Sequence, residues 1–265
     1  MNNPELYNQC NQVQLHGVEK YFDFYREKLR EKFSGKNIEL LDIGSGCGRI
    51  LSEVVIGKSG LNFSKVIGVD VSEEMVKFSQ DKYGSDQVSF QVMDIVEEIP
   101  ETLMDRQFDI VSSFFCLHWV SDLSAAFGNI PNLLKSDGLF CCIFSQFRKN
   151  IYGTEVNDEH SNYLLNSRED LKSSRLSGDP VDVLRRLLSE HRMEFVELVD
   201  IPDDEFEFDS IESFEQSVES LIPKEMPEAE KREIVKKQLK LTPLVEKNGK
   251  FVFYAQNVYF IARKL

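Results

Sequence analysis

The feature that most constrains this chain is the alternation of short apolar segments with amphipathic ones between residues 38 and 145. The apolar segments have the length of buried strands, and the amphipathic ones repeat their apolar residues at helical spacing. Because strands that alternate with helices through short loops form parallel sheets with right-handed crossovers, we predict a doubly wound α/β fold. The predicted strands are 38–43, 66–70, 88–92, 108–115 and 139–145, and the predicted helices are 49–55, 72–82 and 123–134.

Further elements flank this unit. Residues 15–33 place their apolar side chains on one helical stripe, and Ser34-Gly35 is predicted to end that helix. Residues 146–178 are polar and irregular, so no element is predicted there, and Asp179-Pro180 then opens a helix in the preferred order of cap and first residue. Two further strands are predicted after this helix, at 195–199 and 251–263. Between them, two helices at 210–221 and 227–239 are expected to cap the sheet.

A glycine-rich turn, Asp42-x-Gly44-x-Gly46-x-Gly48, stands between the first strand and the helix that follows it. A doubly wound sheet binds nucleotide-like ligands at this position, and glycines let a ligand approach the backbone closely. Asp70 ends the next strand, about 20 residues further on, where a carboxylate can accept both hydroxyls of a ribose. The turn or the carboxylate taken alone is often only structural, but together they predict a nucleoside cofactor.

The glycine spacing separates two classes of cofactor. In the dinucleotide fingerprint a third glycine follows three residues after the second, but here Arg49 stands at that place and Gly48 comes one residue earlier. This turn, preceded by Asp42, suits S-adenosylmethionine better than NAD because no pyrophosphate has to be seated. Asp94 follows the third strand and is predicted to accept a hydrogen bond from the adenine amino group.

Composition argues against other classes of partner. The chain of 265 residues carries 45 acidic and 31 basic residues, a net charge of −14, which disfavours nucleic acid and anionic membrane surfaces. No apolar run is long enough to span a bilayer, and residues 1–5 do not resemble a secretion signal. The four histidines lack metal-ligand spacing, so no metal is expected. The five cysteines form no C-x-x-C pair, and we expect reduced thiols in a cytoplasmic protein.

Several of these residues also match a known family. The chain resembles the arthropod juvenile hormone acid O-methyltransferases, a branch of the class I methyltransferases that use S-adenosylmethionine. The glycine turn is common to the whole superfamily, whereas Gln14 combined with Leu117-His118-Trp119 is more specific to this family. The other matching segments are Asn2-Asn3, Leu6-Tyr7, 70–77, Asp94-Ile95, 132–134 and 262–264.

The resemblance implies seven strands, the last of them antiparallel, and a helical cap that closes over an isoprenoid acid. It also implies that Gln14 and Trp119 lie at the acceptor carboxylate and His118 beside the cofactor. From the residues alone, Trp119 is equally well a core aromatic, His118 a structural histidine and Gln14 a polar residue at a helix start. The predicted cofactor contacts are Asp42, Gly44, Ser45, Gly46, Gly48, Asp70, Val71, Met75, Asp94, Ile95 and Phe114.

These boundaries predict one methyltransferase domain over residues 1–265. Residues 1–36 are an N-terminal helical segment that contributes to the active site, and residues 37–145 are the cofactor-binding core. Residues 146–250 are a variable region and substrate cap, with the cap helices within 206–245. Residues 251–265 are the final strand.

The predicted function is methylation of the carboxylate of a lipophilic acid, such as farnesoic acid, juvenile hormone acid or a fatty acid, in juvenile hormone biosynthesis. A carboxylate is already ionised near neutral pH, so the reaction requires orientation rather than a general base. Because residues 149–179 are short and dissimilar to the family's, methylation of another small molecule stays open. A further alternative is cofactor binding without transfer, and the intact glycine turn, Asp70, Gln14 and Trp119 argue against it. Candidates for an apolar acceptor pocket are Phe114, Phe115, Phe144, Phe147, Phe206, Phe208 and Phe214.

Overall fold

One mixed sheet forms the centre of the fold. The computed structural model describes residues 3–146, 179–222, 224–241 and 244–265, and within these ranges eight strands belong to the sheet. They are β1 (Ile38–Ile43), β2 (Phe63–Asp70), β3 (Val88–Val92), β4 (Phe108–Phe114), β5 (Leu134–Gln146), β6 (Met193–Phe208), β7 (Val245–Lys247) and β8 (Lys250–Lys264).

The strand order is β3-β2-β1-β4-β5-β8-β6, with the short β7 paired to β8. Strands β1 to β5 run parallel, whereas β8 is antiparallel to both β5 and β6. The order reverses between β1 and β4, so the carboxyl ends of these strands form the crevice where such sheets bind ligands. The predicted doubly wound α/β fold with an antiparallel last strand is confirmed, and β7 is added to the seven strands expected.

The described helices lie on both faces of this sheet. They are α1 (Pro4–Cys10), α2 (Gln12–Lys32), α3 (Glu73–Tyr83), α4 (Glu101–Met104), α5 (Leu123–Leu133), α6 (Pro180–Glu190), α7 (Ile211–Glu219) and α8 (Glu228–Leu241). A π-helical segment at Leu51–Ile56 and a 3-10 turn at Leu117–Trp119 complete the set.

Helix α2 is fixed to the last strand by two buried hydrogen bonds. The Tyr21 hydroxyl donates to the carbonyl of Phe260 (3.0 Å), and the Tyr25 hydroxyl donates to that of Tyr259 (2.8 Å). Each such bond contributes about 1 kcal/mol net to stability. The apolar stripe of α2 packs with β1, β4 and β8 in one half of the core, and α5 and α6 pack on the opposite face in the other half.

The structure departs from the sequence expectation at the ends of β5 and β6 and in one additional helix. Strand β6 runs beyond residue 199 to Phe208 because it pairs with β8 as far as Phe251, so Phe206 lies in the sheet and the cap helices begin at Ile211. Strand β5 begins at Leu134 rather than at 139. A separate helix, α1, precedes α2, and it is capped by Asn3, whose side chain accepts from the backbone N–H of the residue three positions on.

Candidate functional site

The glycine-rich turn lies at the carboxyl end of β1. Gly44, Gly46 and Gly48 have φ angles of 75°, 54° and 79°, which L side chains rarely adopt. The amides of Gly44 and Ser45 donate to the carbonyl of Val69 (2.8 and 2.9 Å) and so fix the turn against the end of β2. The turn therefore presents bare backbone to the crevice.

Asp70, at the end of β2, directs its carboxylate to the turn. Its Oδ2 accepts from the Gly46 N–H (2.9 Å) and its Oδ1 from the Ser72 N–H (3.0 Å). Burial raises the pKa of this carboxyl, and the hydrogen bonds from the backbone of Ser72 and Gly46 oppose the rise. Backbone donors thus hold both oxygens of Asp70 in place, and the contact with a ribose stays a prediction.

Asp42 is the second carboxylate at the turn, and it is only 5% exposed. The Ser112 hydroxyl in β4 donates to its Oδ1 (2.6 Å). Burial raises the pKa of Asp42 to about 7, the Ser112 hydrogen bond lowers it and the charge of Asp70 raises it further. Asp42 therefore titrates near neutral pH, and a cation bound beside it favours the charged form.

The exit of β4 packs directly on the glycine turn. A Cβ added to Gly44 would lie 2.2 Å from the Sγ of Cys116. The pKa of the Cys116 thiol is raised to about 12 because the thiol is buried and because Asp70, Asp42 and Asp94 lie close enough to repel a thiolate. The three carboxylates predicted to bind the cofactor, Asp42, Asp70 and Asp94, therefore all lie near Cys116.

Phe115, between β4 and Cys116, has a left-handed backbone with φ of 54°. This conformation costs a non-glycine residue about 1–3 kcal/mol and is typical of functional sites. The ring reaches α2, where a Cβ added to Gly17 would lie 2.5 Å from the Phe115 Cζ. Because Gly17 has no side chain, α2 can pack closely against Phe115 at the end of β4. Gly17, a glycine within the predicted helix, is the sequence feature from which this contact could have been predicted.

Gln14 lies one turn before Gly17 on α2. Its Oε1 is buried and has no hydrogen-bond partner within the described part of the chain. Buried side-chain amides nearly always have partners, and rotation of the amide exchanges its acceptor and donor ends. Neighbouring Val13 packs in the apolar cluster described below. Gln14 therefore directly follows, on the same helix, a residue of that cluster.

His118 and Trp119 form the 3-10 turn after β4. Their ring centroids lie 5.3 Å apart, and the His118 ring also packs edge-to-face on Phe144 at 6.0 Å. The backbone N–H of Trp119 donates to the carbonyl of Cys116 (2.8 Å). Because Cys116 packs on Gly44, the 3-10 turn lies beside the glycine motif. Burial lowers the pKa of His118 to about 3, so its imidazole is neutral at neutral pH.

The other predicted cofactor contacts have varied surroundings. Met75 is buried in a small cluster with Tyr7 and Cys47. The Oγ of Ser45 is buried and lacks a partner among the residues described. Val71 is 54% exposed beside Asp70, as a residue that meets a ligand in an open crevice would be. Their contacts with the cofactor stay predictions.

Two further predicted contacts lie in the core. The Phe114 ring packs under α2 against Tyr21 (centroids 5.0 Å apart) and Phe22 (6.4 Å). Ile95 is buried on the opposite face of the sheet. Both side chains are occupied by packing in the core, and their contacts with the cofactor stay predictions.

An apolar cluster lies beside the β4 exit, between α2, α7 and the outer strands, and Phe115 packs against it. Within it the Phe206 and Phe208 rings stack on Phe253, with centroids 5.0 and 5.9 Å apart. Of the other candidate pocket residues, Phe144 belongs to the core with His118, and Phe147 lies outside the described residues. The cluster consists of Val13, Phe206, Phe208, Phe214, Val218, Phe253 and Ala255.

The residues of this site fit S-adenosylmethionine. A turn of three positive-φ glycines leaves room for a ligand against the backbone, Asp70 offers fixed acceptor oxygens, and Ser45 has a buried hydroxyl without a partner in the described chain. Three carboxylates around Cys116 suit a ligand that carries positive charge. The described ranges contain no group of three or more residues able to hold a metal ion. Within the same ranges, no helix is long and apolar enough to cross a membrane.

Sequence comparison relates the chain to known proteins. Residues 41–142 match a family model described as a methyltransferase domain. The chain is 31% identical over 230 residues to a juvenile hormone acid O-methyltransferase of Drosophila melanogaster, covering 84% of this chain and 76% of that relative. It is 33% identical over 138 residues to the protein of the same name from Bombyx mori, covering 52% of this chain and 48% of that relative.

Solved structures resemble the fold at low sequence identity. The YcgJ protein of Bacillus subtilis aligns with a TM-score of 0.56 at 18% identity, covering 92% of this chain and 99% of that one. The [4+2]-cyclase SpnF aligns with a TM-score of 0.57 at 17% identity, covering 91% and 81%. At these identities the likeness establishes the fold alone.

Proposed function

Since this chain belongs to the juvenile hormone acid O-methyltransferase family, within the class I methyltransferases, we propose that it methylates the carboxylate of a lipophilic acid. The protein is an enzyme, and S-adenosylmethionine is its methyl donor. The acceptor class that we propose comprises farnesoic acid, juvenile hormone acid and fatty acids, each converted to its methyl ester. The names of the relatives from Drosophila melanogaster and Bombyx mori support this choice.

One observation carries the proposal: α2 holds an amide oxygen, on Gln14, that is buried and unpaired among the described residues, next in the chain to Val13 of the apolar cluster. The Gln14 Oε1 has no partner in the described chain, and Gly17, one turn away, meets the strained Phe115 at the β4 exit. Leaving a buried polar group unpaired costs about 1–3 kcal/mol. A ligand with a polar head and an apolar body can relieve that cost with its head and pack its body against the cluster.

Gln14 and Trp119 are the groups proposed to hold the acid. The Gln14 amide and the Trp119 indole N–H can each donate to a carboxylate oxygen, and neither has to change its protonation state. His118 is neutral because burial lowers its pKa to about 3, so it neither attracts the acid by charge nor serves as a proton donor. We propose that it supports the Trp119 ring, against which it packs.

No residue has to act as a base. When bound, S-adenosylmethionine would supply an electrophilic methyl group on a sulfonium, and its transfer to the carboxylate oxygen would leave S-adenosylhomocysteine. The acceptor is ionised at neutral pH because a carboxyl has a pKa near 4. The chain therefore contributes orientation and exclusion of water, and well-oriented reactants gain about 7–11 kcal/mol in this way.

The test is incubation of the enzyme with methyl-labelled S-adenosylmethionine and farnesoic acid, followed by identification of the labelled product. We expect the methyl ester of the acid. A parallel panel of fatty acids, amines and phenols defines the class. Label found only in amines or phenols, or no transfer to any acid, contradicts the proposal.

A further inference from the structure

Helix α1 lies across the glycine turn. Tyr7 is its largest buried residue, with 9% of its surface exposed, and its Cε1 lies 3.4 Å from the place that a Cβ on Gly46 would occupy. The ring also packs with Cys47 of the turn and with Met75 of α3. Tyr7 therefore covers the backbone that the predicted cofactor lies against.

The hydroxyl of Tyr7 has one carboxylate and two thiols near it. Burial raises its pKa well above the ordinary value, and Cys47, Asp70 and Cys116 lie near enough to raise it further. The phenol therefore keeps its proton at all physiological pH values. A protonated phenol in this position can donate a hydrogen bond to a ligand at the turn.

Arg49 fastens α1 in this position. Its Nη1 donates to the backbone carbonyl of Asn8 (3.0 Å) and to the Oδ1 of Asn11 (3.1 Å). Its Nε bonds to Glu53 (3.1 Å), which holds the guanidinium in place. Asn8 is in the last turn of α1, where free carbonyls and the helix dipole favour a cation.

Two more contacts complete this attachment, which we call the α1 latch and define as Asn8, Asn11, Cys47, Arg49 and Tyr83. The Tyr83 hydroxyl donates to the Asn8 Oδ1 (3.0 Å), and the Asn11 amide contacts the Cys47 Sγ (3.5 Å). Asn11 is only 1% exposed. A helix of seven residues has little stability alone, so these tertiary contacts decide where α1 lies.

We propose that Tyr7 is a cofactor-contacting residue, that its hydroxyl donates to the carboxylate at the amino-acid end of S-adenosylmethionine, and that Arg49 is the residue that positions it. The carboxylate is the one anionic group of this cofactor, and a hydrogen bond from a phenol to a charged acceptor is stronger than one to a neutral acceptor. Asp70 and Asp94 are predicted to take the ribose and adenine ends, which leaves the amino-acid end for the groups above the turn. The proposal depends on the methyl donor and not on the identity of the acceptor.

The experiment compares two ligands by calorimetry: S-adenosylhomocysteine, which carries the amino-acid end, and 5′-methylthioadenosine, which lacks it. Tyr7→Phe keeps the ring and removes the hydroxyl. Because a hydrogen bond to a charged group is lost, the affinity for S-adenosylhomocysteine is expected to fall about tenfold or more. The affinity for 5′-methylthioadenosine is expected to stay within about twofold.

Arg49→Met tests the positioning role. It is expected to reproduce the selective loss, and in the Tyr7→Phe background to add less than about twofold, because both changes remove the same contact. Arg186→Met is the matched control, since Arg186 also pairs with a glutamate four residues on but is 67% exposed and far along the chain. Tyr83→Phe weakens the α1 latch from its other side and should give a smaller loss of the same kind.

Thermal melting followed by circular dichroism establishes that each variant is folded. Equal losses for both ligands in Tyr7→Phe, or no loss for either, overturn the role of the Tyr7 hydroxyl. A full additional loss from Arg49→Met in the Tyr7→Phe background overturns the positioning role. Since no acceptor is present, these results are independent of the experiment on acid methylation.

Discussion

The backbone N–H of Gly46 donates a 2.9 Å hydrogen bond to the Oδ2 of Asp70, and this bond joins the turn after β1 to the end of β2. The other oxygen of the same carboxylate accepts from Ser72 at the start of α3. Two parts of the predicted cofactor site are thus oriented by each other before any ligand binds. Preorganised acceptors of this kind lose little conformational entropy when they bind a ribose.

Replacing the Asp70 carboxylate is expected to weaken cofactor binding. In Asp70→Ala the ribose loses its acceptor and Gly46 loses its partner, so the affinity for S-adenosylhomocysteine should fall at least about tenfold in calorimetry. Asp86→Ala, at an exposed position in the loop before β3, is the control and should bind normally. Unchanged affinity in Asp70→Ala would remove Asp70 from the site.

Cofactor affinity is expected to depend on the ionisation of Asp42. Burial raises its pKa to about 7, and a bound sulfonium favours the charged form and lowers that pKa. Binding therefore releases a proton below pH 7, and the affinity for S-adenosylmethionine should rise as pH increases from about 6 to 8. Asp42→Asn should flatten this rise, and an equal slope in both proteins contradicts the assignment.

The same group makes the ligand-free protein less stable at high pH. The folded-state pKa of Asp42, about 7, lies above the ordinary value of 3.8 for an aspartate, so the free energy of unfolding falls as pH rises between these values. The loss reaches about 4 kcal/mol at most. Asp42→Asn, which keeps the acceptor for Ser112, should be more stable than the parent in urea at pH 8 and nearly equal at pH 5.

The glycines of the turn should be sensitive to added bulk. Gly48→Ala places a Cβ in a left-handed residue and 2.8 Å from the Ser79 Cβ, whereas Gly35→Ala meets the same backbone cost with no atom within 4 Å. The left-handed cost is about 1–2 kcal/mol in both. Urea unfolding should show Gly48→Ala to be less stable by a further 1–3 kcal/mol or so. Equal losses would mean that packing at Gly48 has no role.

The two proposed acid-binding residues should affect turnover more than cofactor binding. Gln14→Ala and Trp119→Phe each remove one donor to the acceptor carboxylate, so kcat/KM for the acid should fall about tenfold or more. Their affinity for S-adenosylhomocysteine should stay near that of the parent. Gln12→Ala, on the exposed side of the same helix, is the control. Full activity of both variants on every acid tested refutes these roles.

Most of the fold follows from local patterns in the sequence. The strands that end at Ile43 and Asp70 and the capped helix that starts at Glu73 lie where their apolar and capping residues predict them. The predicted strand ends at residue 199, short of β6, because two acidic residues at 203 and 204 precede an alternation of acidic and apolar side chains over 205–208. Such a pattern is compatible with a cap edge or a strand until its partner in β8 is known.

The sequence by itself determined the alternation of strands and helices and the glycine turn that points to a nucleoside cofactor. It did so because neighbours in the chain suffice to fix a strand, a turn or a helix cap. The tertiary structure decided that Arg49 holds α1 over the turn, that Ser112 pairs with Asp42 and that Phe115 takes a strained backbone to meet Gly17. These contacts join residues tens of positions apart, so the packing of separate elements, and no local preference, sets them.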